Sequence, residues 1–211
     1  MKIECHGESR LAAGRELAGS ILIDDSAIPL IALCEADSRP GRSGRRVLDR
    51  FQHLFSEAEP TEIGRFSTWA HWMGVLDFAL LRHSHSAFGA AAVVDDRVIG
   101  TTVGSCRACL FDGNGNTRIF TGDRERSLSS LRLGTGDAKV SPIDIALKPQ
   151  DLLLLLSESA WSPLGLSHLR RIVAGAQFGH VSAVPAAIIA AASGRVEPDR
   201  EITVVALQRV E

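Results

Sequence analysis

The sequence contains no tyrosine, and only three of its 23 basic residues are lysine (Lys2, Lys139 and Lys148). Charge of either sign is nearly absent in sum. The 25 acidic residues outweigh the basic ones by a formal net charge of −2, so no global field recruits nucleic acid or an anionic membrane surface. No stretch approaches the ~20 apolar residues that a membrane-spanning helix needs. The N-terminal MKIECHGESR lacks the apolar run of a secretory signal, so a cytoplasmic location is expected. Cysteine is scarce, at four residues. Cys106 and Cys109 have C-x-x-C spacing but lie in a strand-like run, VGSCRACLF. An odd separation along a strand sends them to opposite faces, which excludes a zinc or redox pair. The other two, Cys5 and Cys34, are read with them as free thiols of a reducing compartment. His83 and His85 form H-x-H without a third histidine or cysteine at helpful spacing. No internal repeat or low-complexity tail is present.

What the sequence does contain is a full complement of core-forming residues. Hydrophobic residues make up 45% of 211, enough for one domain spanning 1–211. The chain is organised around Asp151–Trp161, DLLLLLSESAW. Five leucines bounded by polar residues read as a strand buried on both faces, which delivers Glu158 to the end of a sheet. Pro29–Cys34 is a second strand of this kind and ends at Glu35-Ala36-Asp37. An arginine- and glycine-rich turn, SRPGRSGRR, follows and carries Arg42 and Arg45. Backbone and guanidinium groups of that sort suit anions, while a solvated connector has the same composition.

Residues 2–6 and 20–24 are predicted as short strands. Helices are predicted over Val47–Ala58 and Glu62–Arg82. Val47, Leu48, Phe51, Leu54 and Phe55 share one face of the first, and Trp69, Trp72, Met73, Leu76 and Leu80 one face of the second. Pro60 separates the two, with Thr61 as N-cap. Two hairpins follow: FGAAAVV with RVIGTTVG, turning at Asp95-Asp96, and SCRACLFD with TRIF, turning at Asn114-Gly115. A strand at Val140–Leu147, helices at Leu166–Ala176 and Ala183–Ala192, and a last strand at Ile202–Val210 complete the chain. Strands and helices come in runs, not in alternation. This predicts an α+β fold with two antiparallel sheets packed face to face and a helix pair on each outer face.

Four segments resemble, in order, motifs of the metal-dependent serine/threonine phosphatases (the PPM or type 2C family). FGAAAVV-DD-RVIGTTVGSCRACLF is similar to the family's GTTAVVA…LYVANVGDSRAYL block, with Gly89, Gly104, Arg107 and Ala108 at matching positions. LRLGTGD, residues 131–137, resembles R-A-L-G. LKPQDLLLLLSESAW resembles LKPGDLLLLCSDGLW, and EITVVALQRV resembles DNITVVVVR. The resemblance implies the same αββα sandwich. It also implies a site where two Mn²⁺ or Mg²⁺ ions, held by carboxylates at strand ends, activate a water that attacks a phosphate gripped by an N-terminal arginine.

At the ligand positions this chain departs from the family pattern. The family's N-E-D falls on Leu17-Ala18-Gly19 and its D-G-x-G-G near Glu35. The aspartate of G-D-S-R is Ser105, that of S-D-G is Glu158, and that of D-N is Arg200, flanked by Asp199 and Glu201. The flap that usually precedes R-A-L-G is missing, because Thr121-Gly122-Asp123 runs almost directly into Leu131. Two functions fit this pattern. One is a pseudophosphatase, a regulatory module without a required cofactor that binds a protein partner such as a phosphoprotein or a kinase through the 39–46 loop or the region of the flap. The other is a divergent Mn²⁺- or Mg²⁺-dependent serine/threonine phosphatase, with Glu35, Glu158 and one of Asp199 or Glu201 as metal ligands and Arg15 (or Arg10) on the phosphate.

Overall fold

The computed structural model describes residues 1–14, 20–36, 42–81, 84–120, 132–176 and 181–211. These residues form two five-stranded antiparallel sheets. The first sheet contains β1 (Ile3–Leu11), β10 (Glu201–Arg209), β9 (Leu152–Leu156), β6 (Arg107–Phe111) and β7 (Thr117–Ile119), adjacent in that order. The second contains β2 (Ile21–Asp24), β3 (Leu30–Ala36), β4 (Ser86–Val94), β5 (Arg97–Val103) and β8 (Val140–Ala146), again in that order. The helices are α1 (Arg42–Ser56), α2 (Pro60–Ile63), α3 (Phe66–Leu80), α4 (Glu158–Trp161), α5 (Gly165–Ala176) and α6 (Ala183–Ser193). The expected two-sheet sandwich with outer helices is therefore what forms.

Strand alternation divides the apolar residues among three layers. Ile31, Leu33, Ala91, Val93, Leu110, Leu153, Leu155 and Val205 fill the space between the sheets. Leu30, Ala32, Phe88 and Ala90, on the opposite face of the second sheet, meet α1 and α3. There Phe51 packs edge-on against Phe88 at 5.0 Å between centroids, and Trp69 lies 5.4 Å from Trp72. The indole N–H of Trp69 donates to the Ile63 carbonyl at 2.8 Å, so the tryptophans belong to the core. Leu152, Leu154, Leu156, Val204 and Ala206 meet Leu169, Val173, Val184 and Ile188 of α5 and α6. The leucine strand is buried on both faces, as its composition requires. Cys106 faces the inter-sheet layer and Cys109 the α5–α6 layer. All four cysteines are free thiols.

Several boundaries differ from the sequence reading, for identifiable reasons. The helix expected over 62–82 is two helices. Gly64 closes α2 by donating to the Pro60 carbonyl at 3.0 Å, and Arg65 is extended (φ −113°, ψ 123°). The N-cap of α2 is Glu59 rather than Thr61. Pro60 suits the first turn, where no N–H is needed, and the Glu62 carboxylate reaches back to the Glu59 N–H at 3.0 Å. Helix α1 starts at Arg42, so half of the arginine–glycine stretch is helical; arginine is a good helix former. Strand β1 runs on to Leu11 because every residue from Ile3 finds a partner on β10.

Candidate functional site

At one end of the sandwich β3 and β9 finish and β4, β6 and β10 begin. This end carries the acidic residues singled out above. Glu35 occupies the penultimate position of β3 and is only 7% exposed. Residue alternation turns it toward the space between the sheets, where the start of α4 meets it. Its carboxylate accepts the Glu158 backbone N–H at 3.0 Å and the Ser159 hydroxyl at 3.5 Å. Glu35 thus does for α4 what a capping side chain would do. Ser157, which stands at the N-cap, has its hydroxyl oxygen engaged by the Thr203 N–H at 3.0 Å. Burial pushes the Glu35 carboxyl upward. The Glu158 N–H and the charges of Arg132 and Arg200 oppose that shift.

Glu158 is the second acid of the centre and faces a cation supplied by the chain itself. The Arg132 guanidinium lies 3.4 Å from the Glu158 carboxylate and 3.2 Å from the Ser105 hydroxyl. Its side chain is 9% exposed. The path of Arg132 is fixed from three sides. Its neighbour Leu133 exchanges both backbone hydrogen bonds with Ser86, at 2.9 and 3.1 Å. Gly104, at φ +72°, has no Cβ to obstruct the Arg132 stem, whose Cγ would lie 3.0 Å from one. Asp77, buried on α3, accepts the N–H groups of Gly134, Gly136 and Ala138 at 2.5, 3.2 and 3.3 Å. Beside this centre Arg107 stacks over the Trp161 ring at 3.6 Å, and the Trp161 N–H donates to the Ser105 carbonyl at 3.0 Å.

Glu201 lies at the same end but in a separate polar nest. Its Oε1 accepts the hydroxyls of Ser9 at 2.8 Å, Thr203 at 3.3 Å and Ser20. Burial raises the Glu201 carboxyl above the ordinary 4.5, and the Ser9 and Thr203 hydroxyls pull it part of the way back. The folded state therefore holds this proton more tightly than the unfolded chain does. The stability that results is complete below about pH 4.5 and is lost as the pH rises through the raised value. Glu201→Gln keeps an acceptor oxygen without the charge. It should match wild type in urea unfolding at acid pH and become the more stable of the two toward pH 7. A difference independent of pH would refute the assignment.

The structure brings Glu35 and Glu158 together at the junction of β3, β9 and α4. Asp199 is exposed in the turn before β10, and Glu201 is committed to its hydroxyls. Arg15, residues 37–41 of the arginine–glycine loop, His83 and the segment 121–131, where the flap was expected to be missing, lie outside the described residues. Arg10 is paired with Glu8. Two residues of the centre were not singled out from sequence, Arg132 and Asp77. Asp77 did leave a signal: it is the one charge on the Trp69–Met73–Leu80 stripe. Arg132 left none beyond its place in LRLGTGD.

Among the described residues the donor set does not fit a pair of divalent ions. Glu35 is occupied by α4, Glu158 faces a guanidinium, and no group of three His, Cys, Asp or Glu among the described residues could hold a metal. Beside Glu158 opens a cleft of about 450 Å³ lined by Ser159, Ser162, Arg195, Glu197 and Arg200.

No family model and no curated protein matches this sequence. Solved structures do match. The serine/threonine phosphatase of S. agalactiae superposes with a TM-score of 0.76 over 99% of this chain and 100% of that one, at 16% identity. Stp1 from Staphylococcus aureus gives 0.79 over 99% and 95%, at 15% identity. PstP/Ppp of Mycobacterium tuberculosis gives 0.72 over 98% and 99%, also at 15% identity. With its two antiparallel sheets and its outer helices, this chain has the fold of the PPM-type serine/threonine phosphatases.

Proposed function

We propose that the protein is a non-catalytic member of this fold, a cytoplasmic module that regulates by binding a protein partner, either a phosphoprotein or a kinase. One observation carries the reading: the Arg132 guanidinium sits on Glu158, at the position where the family resemblance puts a metal-ligating carboxylate. A fixed positive charge there opposes a divalent cation, and in-line hydrolysis by a two-metal centre needs several free ligands. The cleft next to Glu158 presents Arg195 and Arg200 and supplies a surface on which a phosphorylated side chain can be held without being cleaved. No described helix is long and apolar enough to cross a membrane.

The reading is tested by titrating Mn²⁺ into metal-stripped protein and assaying each sample on a small aryl phosphate, with Glu158→Ala alongside. Turnover should be no higher in wild type than in Glu158→Ala. The alternative, a divergent Mn²⁺- or Mg²⁺-dependent serine/threonine phosphatase, is favoured by the meeting of Glu35 and Glu158 at one strand end. Metal binding and turnover that both vanish in Glu158→Ala would establish it.

A further inference from the structure

We propose that Arg132 is a built-in cation that takes over the structural role of a metal ion in this sandwich, so that the strand-end carboxylate centre closes without any divalent ion. The inference does not rest on the protein-binding reading and stands whether or not a partner is found.

Three carboxylates gather at this end of the fold. Glu201 is answered by hydroxyls, while Glu35 and Glu158 stand together at the junction of β3, β9 and α4. Acidic side chains converging at strand ends repel one another and destabilise a fold unless a positive charge answers them. Here the answer is covalently attached. Arg132 reaches Glu158 from the β5–β6 side, holds Ser105 with the same terminal nitrogen, and is near enough to Glu35 to favour its ionised form. The surroundings fix the backbone and the stem that carry this arginine. Asp77 grips the loop by three backbone N–H groups, Leu133 pairs with Ser86, and Gly104 leaves room for the stem. A tethered guanidinium has no ligand-exchange step and cannot be chelated away, and it stays charged at every accessible pH.

The test is thermal unfolding in EDTA and in millimolar Mn²⁺, for wild type, Arg132→Met, and the double variant Arg132→Met/Glu158→Gln. Wild type should give one Tm in both buffers. Arg132→Met should melt several degrees lower in EDTA and regain part of the loss in Mn²⁺, because the exposed carboxylates then have a cation to bind. Removing the second charge should make the double variant more stable than Arg132→Met in EDTA and insensitive to Mn²⁺. If Arg132→Met alone fails to fold, a double variant that folds supports the proposal. A double variant that also fails assigns Arg132 a packing role and overturns it. It is equally overturned if EDTA lowers the wild-type Tm, or if Arg132→Met melts like wild type in both buffers.

Discussion

Asp77→Ala should lower the unfolding free energy by about 3 kcal/mol or more, the effect expected when a buried acceptor of several hydrogen bonds is deleted. Asp77 is 6% exposed and lies on a helix whose other inward side chains are aromatic or aliphatic. Its two carboxylate oxygens take three backbone N–H groups from Gly134, Gly136 and Ala138. Those donors serve a loop with two positive-φ glycines and have no repeating secondary structure to supply another acceptor. Alanine would strand all three. Asp77→Asn keeps one acceptor oxygen and should cost roughly half as much. Urea unfolding of the two variants separates the carboxylate's hydrogen bonds from its volume. The loop runs straight on from Arg132, so Asp77→Ala should also loosen the Arg132–Glu158 pair. Faster hydrogen exchange at the Leu133 N–H would report that. Equal stability of wild type and Asp77→Ala would show that the loop holds itself.

Gly100→Ala should be comparably damaging, and Gly100→Val should prevent folding. Gly100 sits on β5 opposite Ala91 of β4. A Cβ added there would lie 2.7 Å from the Ala91 Cα and nearer still to the Ala90 carbonyl oxygen. Both obstacles are backbone of the neighbouring strand, which has no rotamer to change. The collision can be relieved only by parting β4 from β5. Overpacking of this kind costs about 1–3 kcal/mol where side chains give way and more where they cannot. Gly74→Ala provides the contrast. It lies mid-helix in α3 with nothing within 4 Å of an added Cβ, so alanine should stabilise by about 0.5–1 kcal/mol. A pair of thermal melts with shifts of opposite sign would separate collision at Gly100 from a general preference for glycine.

The fold was legible where a pattern has few structural solutions. Five leucines bounded by Asp151 and Ser157 permit little except a doubly covered strand, and Asn114-Gly115 between two apolar runs permits little except a hairpin. Asp112 confirms that turn by accepting the N–H groups of Asn114 and Asn116 at 2.9 and 2.7 Å. Helix ends were less legible. The break at Gly64-Arg65 depends on an extended backbone at Arg65, and a helix interior can also accommodate a single glycine. At the site, Glu35 and Glu158 were visible because each ends a buried strand. Glu201 was visible too, but not its use: the hydroxyls of Ser9 on β1 and Ser20 at the start of β2 reach it only through the pairing of distant strands, and they join that of Thr203 two residues along β10. Arg132 was hidden for the same reason. Its partners Ser105 and Glu158 lie 27 and 26 residues away in sequence, and nothing local in LRLGTGD says which acid it meets.

The leucine strand has a further consequence. Five identical side chains hold no information about which of them should face which neighbour. Sliding β9 by two positions between β10 and β6 would still put leucine in place of leucine at three of its five places. The alignment is written only at the two ends. Asp151 accepts the Lys148 N–H on its carboxylate at 2.9 Å and the Arg209 N–H on its carbonyl at 3.1 Å. Ser157 trades hydrogen bonds with Thr203 through both backbone and hydroxyl, each at 3.0 Å. A slipped strand would drag one of these buried polar residues into a leucine slot without partners. The strand thus behaves like an unmarked ruler with a stop at each end, and the stop at Ser157 also fixes how far Glu158 projects toward Arg132.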